Sequence, residues 1–355
     1  ALPIRSLSEA VQWLKGQLEI SPKPAQLKHW YDTYGRDGLD FADVRGQDMA
    51  KRAVTIAAAG GHNLLMVGPP GSGKTMLAKR VRTVLPDLRP EESIETTRIY
   101  SAMGRLKTGQ PLMVRRPFRA PHHTISDVGL VGGGRVPTPG EISLAHNGVL
   151  FLDELPEFNR RTLEVMRQPL EEGRVTISRA LRSSTLPADF ILIAALNPCP
   201  CGYRSDPRRP CQCTSPQIER YMSKVSGPLL DRIDLHIEVP AVQVEDLEHF
   251  KPGTPSRKMR ERVLGARQKQ SERFKGDGTQ LNAQMSSSDL REHCRLDPDC
   301  RRLLATTIER FGLSVRAHDK ILKVARTIAD LENQDVLKCD HIREATHYRM
   351  LDRPL

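Results

Sequence analysis

The chain has 355 residues, 38% hydrophobic and 27% charged, with a formal net charge of +11. This is enough for about two domains with proper cores and argues against a disordered tail, while the basic surplus favours a polyanionic partner such as DNA or simply keeps the chain in solution. No apolar run approaches the roughly 18 residues of a spanning helix, and Ala1-Leu2-Pro3-Ile4-Arg5 lacks a secretory h-region, so a cytoplasmic setting without a membrane partner is expected.

In chain order, a short amphipathic pattern at Leu7 to Leu14 is followed by the break Ser21-Pro22-Lys23-Pro24. Residues 1–40 read as a remnant or linker of a preceding domain. From Phe41 to Pro240, helical stretches alternate with apolar strands at Asn63 to Val67, Val149 to Leu152 and Phe190 to Leu196. Such alternation predicts an α/β fold, a parallel sheet with helices on both faces, over residues 41–250. Charged, Leu/Ala/Ile-periodic segments near 256–274, 297–311, 317–332 and 335–350 then predict a separate helical domain over 251–355. Phe250-Lys251-Pro252-Gly253-Thr254-Pro255 marks the boundary.

The first strand runs into Gly68-Pro69-Pro70-Gly71-Ser72-Gly73-Lys74-Thr75, a full match to the phosphate-cradling pattern G-x-x-x-x-G-K-[ST]. Its glycines let backbone N–H groups turn toward phosphates, Lys74 offers a point charge, and the Thr75 hydroxyl can ligate Mg²⁺. The chain is therefore expected to bind a nucleoside triphosphate. The strand Gly148-Val149-Leu150-Phe151-Leu152 delivers Asp153, suited to holding Mg²⁺, and Glu154, suited to activating the attacking water. Two acids after a strand also open ordinary loops, but beside a full phosphate loop the catalytic reading prevails. Asn197, at the end of the third strand, either senses the γ-phosphate or begins a turn.

Four of the seven cysteines form two C-x-C pairs, Cys199/Cys201 and Cys211/Cys213. Four soft ligands on one loop suit tetrahedral, structural Zn²⁺, with unligated or redox-active thiols as the alternative. Cys294, Cys300 and Cys339 read as ordinary thiols, and His122-His123, without a nearby carboxylate pair, as structural. Arg174 to Thr185 alternates polar and apolar residues like a hairpin, with Arg179 and Arg182 near its tip. Seven basic and two acidic residues between 257 and 273 mark either a phosphate-facing or a merely solvated helix.

The order of strand, phosphate loop, Asp-Glu and Asn is that of the AAA+ ATPases. Arg119-Ala120-Pro121-His122-His123-Thr124, Pro139 to Gly148, Asn197 to Gly202 and Gly227-Pro228-Leu229-Leu230-Asp231-Arg232-Ile233-Asp234 resemble the magnesium-chelatase-like AAA+ proteins. Within them, residues from about 40 to 353 look most like the bacterial ComM/YifB family. The resemblance implies an AAA+ P-loop core followed by a small all-helical lid, with ATP and Mg²⁺ held by Gly68 to Thr75 and Met76, and with Val44 and Gln47 beside the adenine. It also implies that Arg232 is an arginine finger acting on the next subunit of a homo-hexamer; from the residues alone, a salt bridge to Asp231 or Asp234 is the alternative. Arg316 corresponds to the family's second sensor, although alone it reads as a solvated helix residue. In the related clade, the hairpin before the Asn sensor projects into the ring pore, which would place Arg179 and Arg182 on DNA. Lys107 to Val136, bearing Arg115, Arg116 and Arg119, resembles the family's helix-2 insertion, and Lys107 is a further candidate DNA contact. The family's Lon-like N-terminal domain would be missing. The implied activity is that of an ATP-driven DNA translocase or helicase promoting branch migration as single-stranded DNA is integrated. The alternative is a chelatase-type or chaperone-like motor that remodels a protein.

Overall fold

A computed structural model describes residues 2–22, 38–107, 110–134, 138–178, 183–204, 206, 208–241, 253–275, 280–349 and 351. Residues 1–36 form one unit and 37–355 another. In the first, a helix over Leu7–Leu14 starts where the Ser6 hydroxyl accepts the Glu9 N–H, the cap expected of serine.

The second unit contains β1 (Leu64–Val67), β2 (Phe118–Arg119), β3 (Gly132–Gly133), β4 (Thr138–Pro139), β5 (Gly148–Leu152), β6 (Arg174–Ser178), β7 (Ser183–Pro187), β8 (Phe190–Leu196) and β9 (Leu235–Glu238). Five of these make a sheet in the order β2-β5-β8-β1-β9, with parallel pairing throughout. The three strands expected from the sequence are its centre. The edge strands carry weaker signals: β2 is only two residues long, and β9, though as long as β1, interrupts its apolar residues with His236 and Glu238. Side chains alternate across the sheet: Leu64, Met66, Val149 and Phe151 join one apolar cluster, and Leu65, Val67, Leu150 and Leu152 the other. Burial on both faces explains why these strands read as continuous apolar runs.

The C-terminal part is helical: Ser256–Phe274, Ser287–His293, Pro298–Phe311, Val315–Leu331 and Cys339–His347. The seven-residue helix at 287–293 was not anticipated. Starts are chemically marked, since Asp297 caps the Cys300 N–H, Pro298 fills the first turn, and Ser314 caps the Ala317 N–H. The helices Ser256–Phe274 and Val315–Leu331 pack on Asp48–Gly60, behind the sheet. One apolar cluster runs from the sheet through Met259, Val263, Leu304, Ile321 and Ala325, so the helical domain completes the core of the first.

Polar contacts reinforce this seam. Buried Asp234 accepts the Asn63 N–H at 2.9 Å and the Lys320 ammonium at 2.5 Å, with His62 Nδ1 3.7 Å away. Burial opposes the charged carboxylate, but Lys320 and His62 outweigh it and hold Asp234 well below the usual range. A depressed carboxyl stabilises the fold fully above its unfolded value of about 4, and that contribution is lost as pH falls toward the folded value. Asp234→Asn leaves the Lys320 ammonium buried without its counter-charge. It is expected to cost about 3–5 kcal/mol in urea unfolding at pH 7, with the gap to wild type narrowing on acidification. A cost below about 1 kcal/mol, the level of an exposed pair, would count against this seam.

Candidate functional site

Because the sheet is parallel, every strand ends on the same edge, and the phosphate loop, the acidic pair and Asn197 gather there. Gly68 lies so close to the end of β9 that a Cβ would fall 2.1 Å from the Val239 carbonyl oxygen, and Gly71 and Gly73 take φ of 77° and 91°. These are positions only glycine fills without strain. The helix Lys74–Val84 starts directly after the loop, which aims its free N–H groups at the site.

Lys74 is 8% exposed. Its ammonium donates to the carbonyls of Gly68 at 2.6 Å and Pro69 at 2.9 Å and to Asn197 Oδ1 at 3.3 Å. Burial draws it below the ordinary lysine range, with Asp153 and Glu154 pulling the other way. Thr75 Oγ1 donates to Asp153 Oδ2 at 2.7 Å, bringing a hydroxyl and a carboxylate oxygen together as a hard-donor pair suited to Mg²⁺. Glu154 adopts φ 53° and its side chain is 55% exposed. His123 Nδ1, after β2, lies 3.4 Å from Glu154 Oε2. The expectation that His122-His123 is structural assumed no carboxylate nearby, and His123 has one in Glu154. Its carboxylate neighbour is 31 positions along the chain and becomes adjacent only because β2 pairs with β5.

Gln47 reaches the same edge, its side chain donating to the Pro240 carbonyl at 3.0 Å. Val44 is wholly buried in the core, and Met76 packs against it. The Val44 side chain therefore backs the wall of the site instead of lining it.

Arg232 and Arg316 are elsewhere. Both line a cleft of ≈ 680 Å³ with Asn63, Gly173, Asp189 and Asp234, residues at the amino ends of the strands. β1 alone puts about 13 Å between that edge and the phosphate loop. The Arg232 side chain is 9% exposed and bonds to Glu171 and, at 2.5 Å, to the Pro228 carbonyl. The carboxylate it pairs with is neither of those expected: Asp234 serves Lys320, and Asp231 stands 4.0 Å from Arg316, which is 61% exposed. Glu171 had no sequence signal, because it lies 61 positions away from Arg232.

The sulfurs of Cys199, Cys201 and Cys211 are 3.3–3.7 Å apart, and all four cysteines lie within 4.8 Å of one another. A tetrahedral site with Zn–S bonds of about 2.3 Å has S···S edges of about 3.8 Å, so the four thiols fit zinc. Backbone N–H groups of Tyr203 and Gln212 lower the Cys201 thiol to about 6, whereas at Cys211 and Cys213 a backbone N–H contact is outweighed by burial and the neighbouring sulfurs, which push both thiols up. Cys300 and Cys339 also sit together with Asp297, a juxtaposition their spacing does not reveal.

The hairpin exists as β6 paired antiparallel with β7, but Arg179 and Arg182 lie outside the described residues. Lys107 is exposed. Arg116 is tied to Glu92 and Arg119 to Glu141, so these two arginines brace the insertion, and Gly132 and Gly133 pair with Thr138 and Pro139. On the helix Ser256–Phe274, Arg260, Arg267, Lys269 and Arg273 are engaged by other parts of the fold, whereas Arg257, Lys258 and Arg262 are exposed.

A parallel sheet in this order, with a phosphate loop after β1, Asp-Glu after β5, Asn after β8 and a helical domain behind, defines an AAA+ P-loop protein. The chain belongs to the magnesium chelatase subunit ChlI family, whose model matches residues 40–247 and whose C-terminal model matches 253–349. It is 47% identical over 318 residues to the uncharacterized protein YifB of Escherichia coli, covering 89% of this chain and 61% of that protein. It is 45% identical to the competence protein ComM of Haemophilus influenzae, over 99% of this chain and 68% of that one. To the magnesium-chelatase 67 kDa subunit of Chlorobaculum tepidum the identity is 29%, over 45% of this chain and 23% of that subunit. The chain thus spans about three fifths of the length of its YifB relative.

Proposed function

We propose that this chain is the motor of a homo-hexameric, ATP-driven DNA translocase or helicase, which promotes branch migration when single-stranded DNA is integrated during transformation or recombination. The observation that carries the ring is the separation of Arg232 and Arg316 from the phosphate loop of their own chain. On this reading both arginines act on a neighbour's nucleotide, so each active site needs two subunits.

Within the site, Lys74 and the loop N–H groups hold the β- and γ-phosphates. Thr75 and Asp153 would hold Mg²⁺, which supplies charge neutralisation on the phosphate oxygens. Glu154 orients a water and takes its proton as the water oxygen bonds to the γ-phosphorus and the bond to the ADP oxygen breaks. Asn197 reports the presence of the γ-phosphate to the loop that follows β8, while Arg232 and Arg316 of the adjoining subunit offset charge on the transferring group. Gln47 borders the base, with Val44 packed in the core behind it. Structural zinc is held by Cys199, Cys201, Cys211 and Cys213. DNA is contacted by Arg179 and Arg182 at the hairpin tip and by Lys107, in keeping with the net charge of +11.

Likeness to a magnesium-chelatase subunit favours a second reading, a motor that remodels a protein partner. Binding and ATPase rates measured with single- and double-stranded DNA across a salt series separate the two. On the DNA reading, DNA stimulates turnover, and log K falls with log salt at about 0.7–0.9 per phosphate contacted. No binding even at low salt would favour the second reading.

A further inference from the structure

The four-cysteine loop is seated on the phosphate loop. Asn197, which accepts the Lys74 ammonium, is two residues before Cys199, and Cys199 is 0% exposed. A tight turn closed by the Gly202 N–H on the Cys199 carbonyl, at 2.9 Å, brings Gly202 against Pro70. A Cβ at Gly202 would stand 2.6 Å and 2.8 Å from the Pro70 ring carbons and 3.8 Å from Asn197 Cγ, and the backbone there has φ 85°. The cysteine loop therefore starts two residues after the one that touches Lys74 and folds back, through Gly202, onto the phosphate loop.

We infer that the metal-bound cysteine loop is a buttress of the nucleotide site: it presses Gly202 onto Pro70 and holds Asn197, so that metal occupancy sets nucleotide affinity. The inference rests on the ATP and zinc assignments proposed above. Its physical basis is preorganisation. A loop cross-linked by four thiolates has already lost the conformational freedom that an open loop would lose when nucleotide binds. Gly202 is a positioning residue, acting through Pro70 and Asn197 without touching nucleotide.

The test uses the whole chain and measures zinc per chain by elemental analysis together with the Kd of a fluorescent ADP analogue. Wild type is expected to hold one zinc. Metal-stripped protein is expected to bind the analogue about tenfold more weakly and to recover on adding zinc, and Gly202→Ala to show a similar loss, equivalent to about 1.4 kcal/mol, with zinc retained. Pro70→Ala removes the ring atoms that a Cβ would meet, so the double variant should lose less affinity than the two single losses combined. A zinc-loaded Gly202→Ala protein with wild-type affinity overturns the inference, as does metal removal without effect on Kd. Wild type that binds the analogue without holding zinc overturns it too and leaves the ATPase reading standing. Zinc-loaded wild type that binds no nucleotide sinks the ATPase reading itself.

Discussion

Arg232→Ala is expected to lower the rate of ATP hydrolysis by about 10³–10⁵-fold, the span associated with an arginine finger, while leaving the affinity for ATP within a few-fold of wild type. The two effects separate because Arg232 lines a cleft at the amino edge of the sheet and Lys74 sits at the carboxyl edge. Removing one leaves the other's contacts intact. Binding by fluorescence and steady-state turnover on the same preparation check this directly. Since Arg232 is paired with Glu171 and the Pro228 carbonyl, reaching a neighbouring nucleotide requires it to exchange those partners. Full turnover in Arg232→Ala would remove the support for a shared active site.

Glu154→Gln is expected to lower the rate about 10²–10⁴-fold, the usual contribution of a general base. Gln retains the size and hydrogen-bonding reach of the side chain but cannot take the water's proton. Lys74, Thr75 and Asp153 remain in place, so this variant should hold ATP without cleaving it, which single-turnover measurements detect as bound, unhydrolysed nucleotide. Mixing Glu154→Gln with Arg232→Ala provides a sharper check. Where a chain with intact Glu154 meets a neighbour with intact Arg232, a complete site is rebuilt from two inactive proteins. Recovered turnover is the expected result, and none on mixing would mean that both residues serve the same chain.

The local chemistry was legible because it is contiguous. The phosphate loop, the strand ending in Asp153-Glu154, and the strand ending in Asn197 each occupy a single run of residues, and apolar runs flanked by turn residues announce buried parallel strands. The helical texture after Pro240 was likewise readable, with the helix Ser256–Phe274 spanning the expected residues. The short helix over Ser287–His293 was missed, since seven residues give too little periodicity to stand out. The two-residue β2 was missed for the same reason, and with it went the placement of His123 beside Glu154.

What the sequence determined by itself is the capacity to hold a triphosphate and the residue types around it, because backbone turns, a lysine and a strand-end carboxylate act over a few consecutive positions. Tertiary structure decided which distant groups meet. It paired Arg232 with Glu171, buried Asp234 against Lys320, seated Gly202 on Pro70, and placed Arg232 and Arg316 on the sheet edge facing away from the phosphate loop. The reason is that parallel strands send all their carboxyl ends one way and all their amino ends the other, a sorting that exists only once the sheet has formed.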